Sequence, residues 1–308
     1  MMFRLNGVAA VAALCLSPLA FGVPTPEDAS SPPNDILPLI GFDATPVPSL
    51  KARGSPEIVP EVVSVSLSEL QDSNITEFAP PFPGPSESSK RGIIGPDNRV
   101  LWTNKEYPYR AMGRIEFSNG LWCSGALIGS RHVATARHCI PASGVSARFQ
   151  PAYDNGEPYG GYPVSLIVHA EYGQTGWCAN AYDWAIFVLA EKAGTANGWL
   201  GLKIVNPDNQ LNRAMFFHYG YPQDKGGRRP YRQEGITASA ATGCDRGSPV
   251  VTDTDSIGGQ SGGPFWINEN GNRYLYGIHV GGSDTLGVVA GGQSFLNAYG
   301  NLLKDYPN

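Results

Sequence analysis

One serine stands among four glycines in Gly258-Gly259-Gln260-Ser261-Gly262-Gly263-Pro264. Glycine tolerates backbone conformations closed to other residues and lets another molecule approach the main chain. A nucleophile needs both, together with backbone N–H groups aimed at a developing oxyanion. A glycine-rich loop alone is usually just a turn, so its possible partners decide the matter. His138 lies in Ala134-Thr135-Ala136-Arg137-His138-Cys139, pinned beside a cysteine whose candidate partner, Cys123, is 16 residues upstream. Asp183 opens the run Asp183-Trp184-Ala185-Ile186-Phe187-Val188-Leu189. An acid abutting a buried strand is costly unless something pairs with it, and a histidine Nδ1–H is a suitable partner. Separately, a lone histidine and a strand-end aspartate are more often structural. Together the three residue types form a nucleophile, its base and the base's orienting acid, which is the chemistry of acyl transfer.

Something must hold these residues in place, and composition says what kind of scaffold it is. The chain has 308 residues, 38 glycines, 26 prolines, 16% charged residues and a formal charge of −5. This argues against helical bundles and coiled coils and for a loop-rich, mostly β protein. The mild acidity gives no reason to expect a nucleic acid partner. Short apolar runs alternate with Gly, Pro, Asn and Asp turns, among them 125–128, 132–135, 185–189 and 274–278. That pattern predicts strands of a barrel or sandwich. The last fourteen residues differ: Phe295, Leu296, Tyr299, Leu302 and Leu303 fall at helical spacing and predict a C-terminal helix with a core-facing stripe.

The first 91 residues read differently from the rest. Arg4, the apolar run Val8 to Leu16 and the small residues of Ala20-Phe21-Gly22 read as a secretory signal over 1–22. The run is too short to span a membrane, which needs about 20 apolar residues. Residues 23–91 hold half of the prolines, ten acids against four bases, and Asn74-Ile75-Thr76 as a glycosylation acceptor. The segment closes on the basic pair Lys90-Arg91, where the composition changes, so 23–91 reads as a pro-region cut after Arg91. Beyond that point, 17 bases balance 17 acids. Cys15 would leave with the signal, and four cysteines would remain in an oxidising compartment.

The segments ATARHC, DWAIFVL and GGQSGGP resemble the three catalytic blocks of the chymotrypsin-like serine proteases, in the same order. Gly92-Ile93-Ile94-Gly95-Pro96-Asp97-Asn98-Arg99, Gly220-Tyr221-Pro222-Gln223-Asp224-Lys225 and Gly277-Ile278-His279-Val280-Gly281-Gly282 resemble segments of its glutamyl endopeptidase branch, the V8-like, Bacillus-type enzymes. The similarity spans 92–308 and not 1–91. It implies an all-β fold of two antiparallel Greek-key barrels, 92–195 and 196–308, with a short C-terminal helix. It implies a secreted, monomeric endopeptidase acting on proteins or peptides, with neither nucleic acid nor membrane as partner. Ser261 would be the nucleophile, His138 the general base and Asp183 its orienting acid. The N–H groups of Gly259 and Ser261 would form the oxyanion hole. No metal or cofactor is needed.

Specificity has two readings. His279, Ser256 and the α-amine of Gly92 occupy the places of the donors with which that branch binds an acidic side chain, predicting cleavage after Glu or Asp. Asp255, six residues before Ser261, stands where a trypsin-like enzyme keeps its S1 carboxylate, predicting Lys or Arg. We favour the first. Gln260 replaces the aspartate that pairs with the freed N-terminus in trypsin-like zymogens. Two positions depart from the branch: Arg137, expected to point to solvent, and Val280 in place of Trp. Four cysteines allow three pairings; we expect Cys123–Cys139, bracing the histidine loop, which leaves Cys178–Cys244. His132, His169 and His218 read as structural or surface residues. Asp253 and Asp255 show too few neighbouring ligands for calcium, and Lys225 to Arg232 reads as a solvated basic loop. A non-catalytic binder on the same scaffold is disfavoured by the intact trio, and a lipase or esterase by its order.

Overall fold

The computed structural model describes residues 57–70, 75–81, 97–171, 173–283 and 285–308. Two sheets close on themselves. The first barrel consists of β1 (Met112–Phe117), β2 (Trp122–Leu127), β3 (His132–Ala136), β4 (Ala147–Pro151), β5 (Tyr162–Ala170) and β6 (Trp184–Leu189). Around its wall the order is β1-β2-β3-β6-β5-β4. The second consists of β7 (Ala214–Gly220), β8 (Tyr231–Asp245), β9 (Ser248–Thr252), β10 (Pro264–Glu269), β11 (Asn272–Gly282) and β12 (Gly287–Gly291). Its order, β7-β8-β9-β12-β11-β10, repeats that of the first. All pairings within the two barrels are antiparallel. The expected all-β pair of barrels with a C-terminal helix is thus the observed fold.

Sequence explains the strands that carry the site. β6 is apolar at every position because both of its faces are covered. The strand is wholly buried, and at its start Trp184 packs against Phe295 of the C-terminal helix Gly292–Asp305 at 5.6 Å between ring centroids. The helix buries Phe295, Leu296, Tyr299 and Leu302, four of the five residues that predict it. In the second barrel, Phe216 and Phe265 stack at 4.2 Å inside a core that also takes in Ile236, Val250, Ile267 and Val289.

Segments outside the barrels join them. Val100–Leu101 pairs with Tyr231–Arg232 of the second barrel, although it precedes the first barrel in sequence. Glu61–Val65 lies parallel to the end of β5, and Glu77–Phe78 pairs with Gly201–Lys203. Both cysteine pairs form as expected. Cys123–Cys139 ties β2 to the turn carrying His138, and Cys178–Cys244 ties the segment before Asp183 to β8 of the other barrel. The signal, Asn74 and the Lys90-Arg91 pair lie outside the described residues.

Candidate active site

Strand register brings the histidine to the aspartate. β3 and β6 pair with Ala136 opposite Trp184. The next residue along each strand leaves the sheet, so Arg137-His138 and Asp183 become neighbours. Arg137 N–H donates to the Asp183 carbonyl at 3.0 Å, and His138 N–H to Asp183 Oδ1 at 3.0 Å. The ring Nδ1 of His138 lies 2.7 Å from Asp183 Oδ2. An ionised carboxylate only accepts, so Nδ1 carries the proton and Nε2 keeps its lone pair. Arg137 is half-buried rather than free in solvent, and its charge helps hold down the proton affinity of His169.

The serine loop comes from the second barrel but is seated on the first. Gly259 and Gly262 have φ of +85° and +81°, a region that favours glycine. A Cβ on Gly262 would lie 2.1 Å from Thr135 Oγ1 and 3.0 Å from the Ala136 nitrogen. The loop is therefore pressed against the end of β3, next to His138. Ser124, beside the bridged Cys123, makes the attachment. Its N–H donates to the Ser261 carbonyl at 2.8 Å, and its Oγ donates to the Gly259 carbonyl at 2.8 Å and accepts from Tyr221 N–H at 3.0 Å. Trp122 Nε1 donates to the Tyr221 carbonyl at 2.9 Å. The N–H groups of Gly259 and Ser261 find no acceptor among the described residues.

His279 is stitched into the same loop. Gly262 N–H donates to its carbonyl at 2.8 Å, and its own N–H donates to the Gly263 carbonyl at 2.9 Å. The His279 ring is 1% exposed, with Nε2 lying 3.0 Å from Ser256 Oγ. Its Nδ1 is buried with no hydrogen-bond partner among the described residues. Burial, then the nearby His138, pushes its pKa down to about 3. The ring of His218, fully buried, sits 5.1 Å away, and burial holds its pKa well below the ordinary value. Both imidazoles are neutral at physiological pH.

Asp255 is only part-satisfied: its Oδ2 is buried with no hydrogen-bond partner among the described residues. Its N–H donates to Gln233 Oε1 at 3.0 Å. Burial raises the pKa of its carboxyl, against the opposing charge of Arg99 and a hydrogen bond from the Asn98 backbone. Asp253 accepts from Thr237 N–H at 2.8 Å. Among the described residues no three His, Cys, Asp or Glu side chains converge as metal ligands would. Gly92 lies outside the described residues.

Some functional geometry escapes a sequence reading. Gln260 Oε1 accepts from Ile257 N–H at 3.1 Å and from Arg99 at 2.9 Å, while its Nε2 donates to the Asp255 carbonyl at 3.1 Å. The Arg99 guanidinium also grips Asp97 and Asp224, and its salt bridges hold the Asp97 carboxyl well below the usual range. Asp97, Arg99 and Asp224 all fall in the segments that carry the resemblance, so their charges were the available signal. His132, His169 and His218 are all buried, none at the surface. Val280 is fully buried in the core. The start of the basic stretch 225–232 is solvent-exposed as expected, but its cations are partnered: Lys225 pairs with Asp97, Arg229 pairs with Asp154, and Arg232 is buried 3.9 Å from the Trp102 ring.

The trypsin family model matches residues 102–295, which contain His138, Asp183 and Ser261 in their order. The chain belongs to the trypsin family. This trypsin-family chain is therefore a member of a family of serine endopeptidases. It is 29% identical over 223 residues to a glutamyl endopeptidase of Bacillus licheniformis, a match covering 69% of this chain and 66% of that protein. Among solved structures, a Glu endopeptidase in complex with MPD aligns with a TM-score of 0.56 and 21% identity, covering 70% of this chain and 100% of that one. The thermostable serine protease AL20 from an extremophilic microorganism aligns at 0.50 and 22%, covering 63% and 97%. At these identities the two structures speak for the fold alone.

Proposed function

We propose that the chain is a secreted serine endopeptidase that hydrolyses peptide bonds after Glu or Asp, with 23–91 as a pro-region cut after Arg91. Ser261 Oγ attacks the scissile carbonyl. His138 Nε2 takes its proton and returns it to the leaving amine, while Asp183 holds the imidazole and stabilises its charged form. The N–H groups of Gly259 and Ser261, which have no other acceptor among the described residues, receive the oxyanion at about 3 kcal/mol per donor. Water then cleaves the acyl-enzyme by the same route.

The observation that carries the acidic preference is the buried His279–Ser256 pair, stitched to the serine loop and, among the described residues, hydrogen-bonded to no carboxylate. Neutral at rest, His279 gains proton affinity when a carboxylate arrives, because an opposite charge nearby favours the imidazolium. Ser256 adds a hydroxyl, and the Gly92 α-amine would add a third donor. Against cleavage after Lys or Arg stands Asp255, whose carboxyl burial disposes toward neutrality and which already accepts from Asn98. The test is to digest a denatured protein and map the new C-termini, after confirming that an organophosphate labels Ser261. Termini ending mostly in Glu support the reading. Termini ending in Lys or Arg overturn the specificity, and an unlabelled Ser261 overturns the enzyme.

A further inference from the structure

The described part of the Pro-rich segment, 57–70 and 75–81, is seated on the protease body. It adds a strand where the first barrel lacks one. β4 pairs with β5 only at Tyr162 and Pro163, leaving the edge from Leu166 to Ala170 open. Glu61–Val65 covers that edge residue for residue, from Glu61 opposite Leu166 to Val65 opposite Ala170. An open strand edge is a row of unpaired backbone groups and a liability to any sheet. Beyond the strand, Glu171 N–H donates to the Val65 carbonyl at 2.9 Å, and Leu70 is 2% exposed.

The C-terminal helix and the second barrel are shaped for the same segment. Gln293 and Asn297, one helical turn apart, are both buried. Gln293 Nε2 donates to the Ile75 carbonyl at 2.8 Å, and Asn297 Nδ2 donates to the Leu70 carbonyl. Buried amides without such acceptors are costly. Phe78 packs edge-on against Tyr299 at 4.8 Å, and a Cβ on Gly201 would lie 2.4 Å from the Phe78 carbonyl. Glu77 accepts from Tyr274 and pairs with Lys203 at 3.5 Å. These hydrogen bonds and ring contacts fall on both barrels and the helix, and none falls on His138, Asp183, Ser261 or His279.

We propose that residues 57–70 and 75–81 form a lasting strap, not a disposable one: after the chain is cut between strap and body, the strap stays bound as a non-covalent strand that joins the two barrels and leaves the cleft open. Main-chain pairing at a sheet edge is a general mode of peptide capture. The proposal does not depend on where the natural cut falls or on what the enzyme cleaves. To test it, a site for a highly specific protease is placed within 82–90 of the full-length Ser261→Ala chain, which cannot cut itself under the proposed mechanism. The chain is then cut and gel-filtered at about 10 µM, a concentration at which a micromolar complex stays mostly assembled. We expect the N-terminal fragment to co-elute with the protease body and the amides of Leu166–Ala170 to keep their slow hydrogen exchange. Leu70→Ala should weaken retention on the order of tenfold or more. Separate elution of a folded body with unchanged exchange at 166–170 would overturn the proposal, as would retention indifferent to Leu70→Ala.

Discussion

The two barrels share one strand order and hold opposite kinds of chemistry at the cleft. The first presents a histidine already matched to an anion, with Asp183 accepting from both the ring and the backbone of His138. The second presents two histidines, 218 and 279, whose side-chain hydrogen-bond partners among the described residues, Ser256 and Gln260, are neutral. The contrast follows from where charge arises in the proposed mechanism. In the first barrel a positive charge forms and vanishes within each turnover, so a permanent counterion serves it. In the second the substrate brings the negative charge, and a resident anion would only compete. One architecture thus supports a half built to manage a transient charge and a half kept neutral until one arrives.

Substitutions should separate the halves. Ser261→Ala should lower kcat on the order of 10⁶-fold with the melting temperature unchanged; a merely tenfold loss would remove the serine from the chemistry. Asp183→Asn should cost about 10⁴-fold in kcat, because the imidazole loses its tautomer and its counterion. Its effect should be the same on Glu and non-Glu substrates, and a loss confined to Glu substrates would blur the division between barrels.

Acid should strike through the neutral histidines. The pKa values of His132, His169, His218 and His279 all lie below the ordinary value, with His132 at about 4 and His279 at about 3. Unfolded histidines bind protons as pH falls through about 6.5, whereas the folded ones resist until those lower values. Unfolding therefore takes up protons. The stability is fully present above pH 6.5 and declines as pH drops toward 3. Calorimetry at pH 7.5 and pH 5 should show a lower melting temperature at pH 5; equal values would mean that the buried histidines of the two barrels are not held neutral. A smaller effect is expected at Arg99, which reaches the serine loop through its hydrogen bond to Gln260. Arg99→Met should lower kcat about tenfold, the weight of one charged hydrogen bond, with partial rescue by Arg99→Lys. An unchanged kcat would make Arg99 a purely structural clamp.

Much of this was legible in the residues. The mostly-β class and the C-terminal helix follow from runs that are local and strongly patterned, whereas the two barrels and the His138–Asp183 pairing follow from the family resemblance and Cys178–Cys244 from elimination. What escaped depends on distant partners. His218 looks like any core histidine until β7 and β11 set its ring beside His279. Lys225 and Arg229 look solvated until Asp97 and Asp154 arrive from elsewhere in the chain. The strap hid behind its prolines and acids, although Val62, Val63 and Val65 are β-branched residues of the kind strands favour. Its edge partner, β5, lies about a hundred residues away, beyond the reach of any local pattern.

The measurement closest to the central claim is kcat/KM on matched Glu and Lys p-nitroanilides, for the native chain and for His279→Ala. The account predicts that the native enzyme favours Glu by a wide margin and that His279→Ala loses on the order of 10- to 100-fold on Glu alone. A native preference for Lys, or a Glu preference that survives the loss of His279, would contradict it.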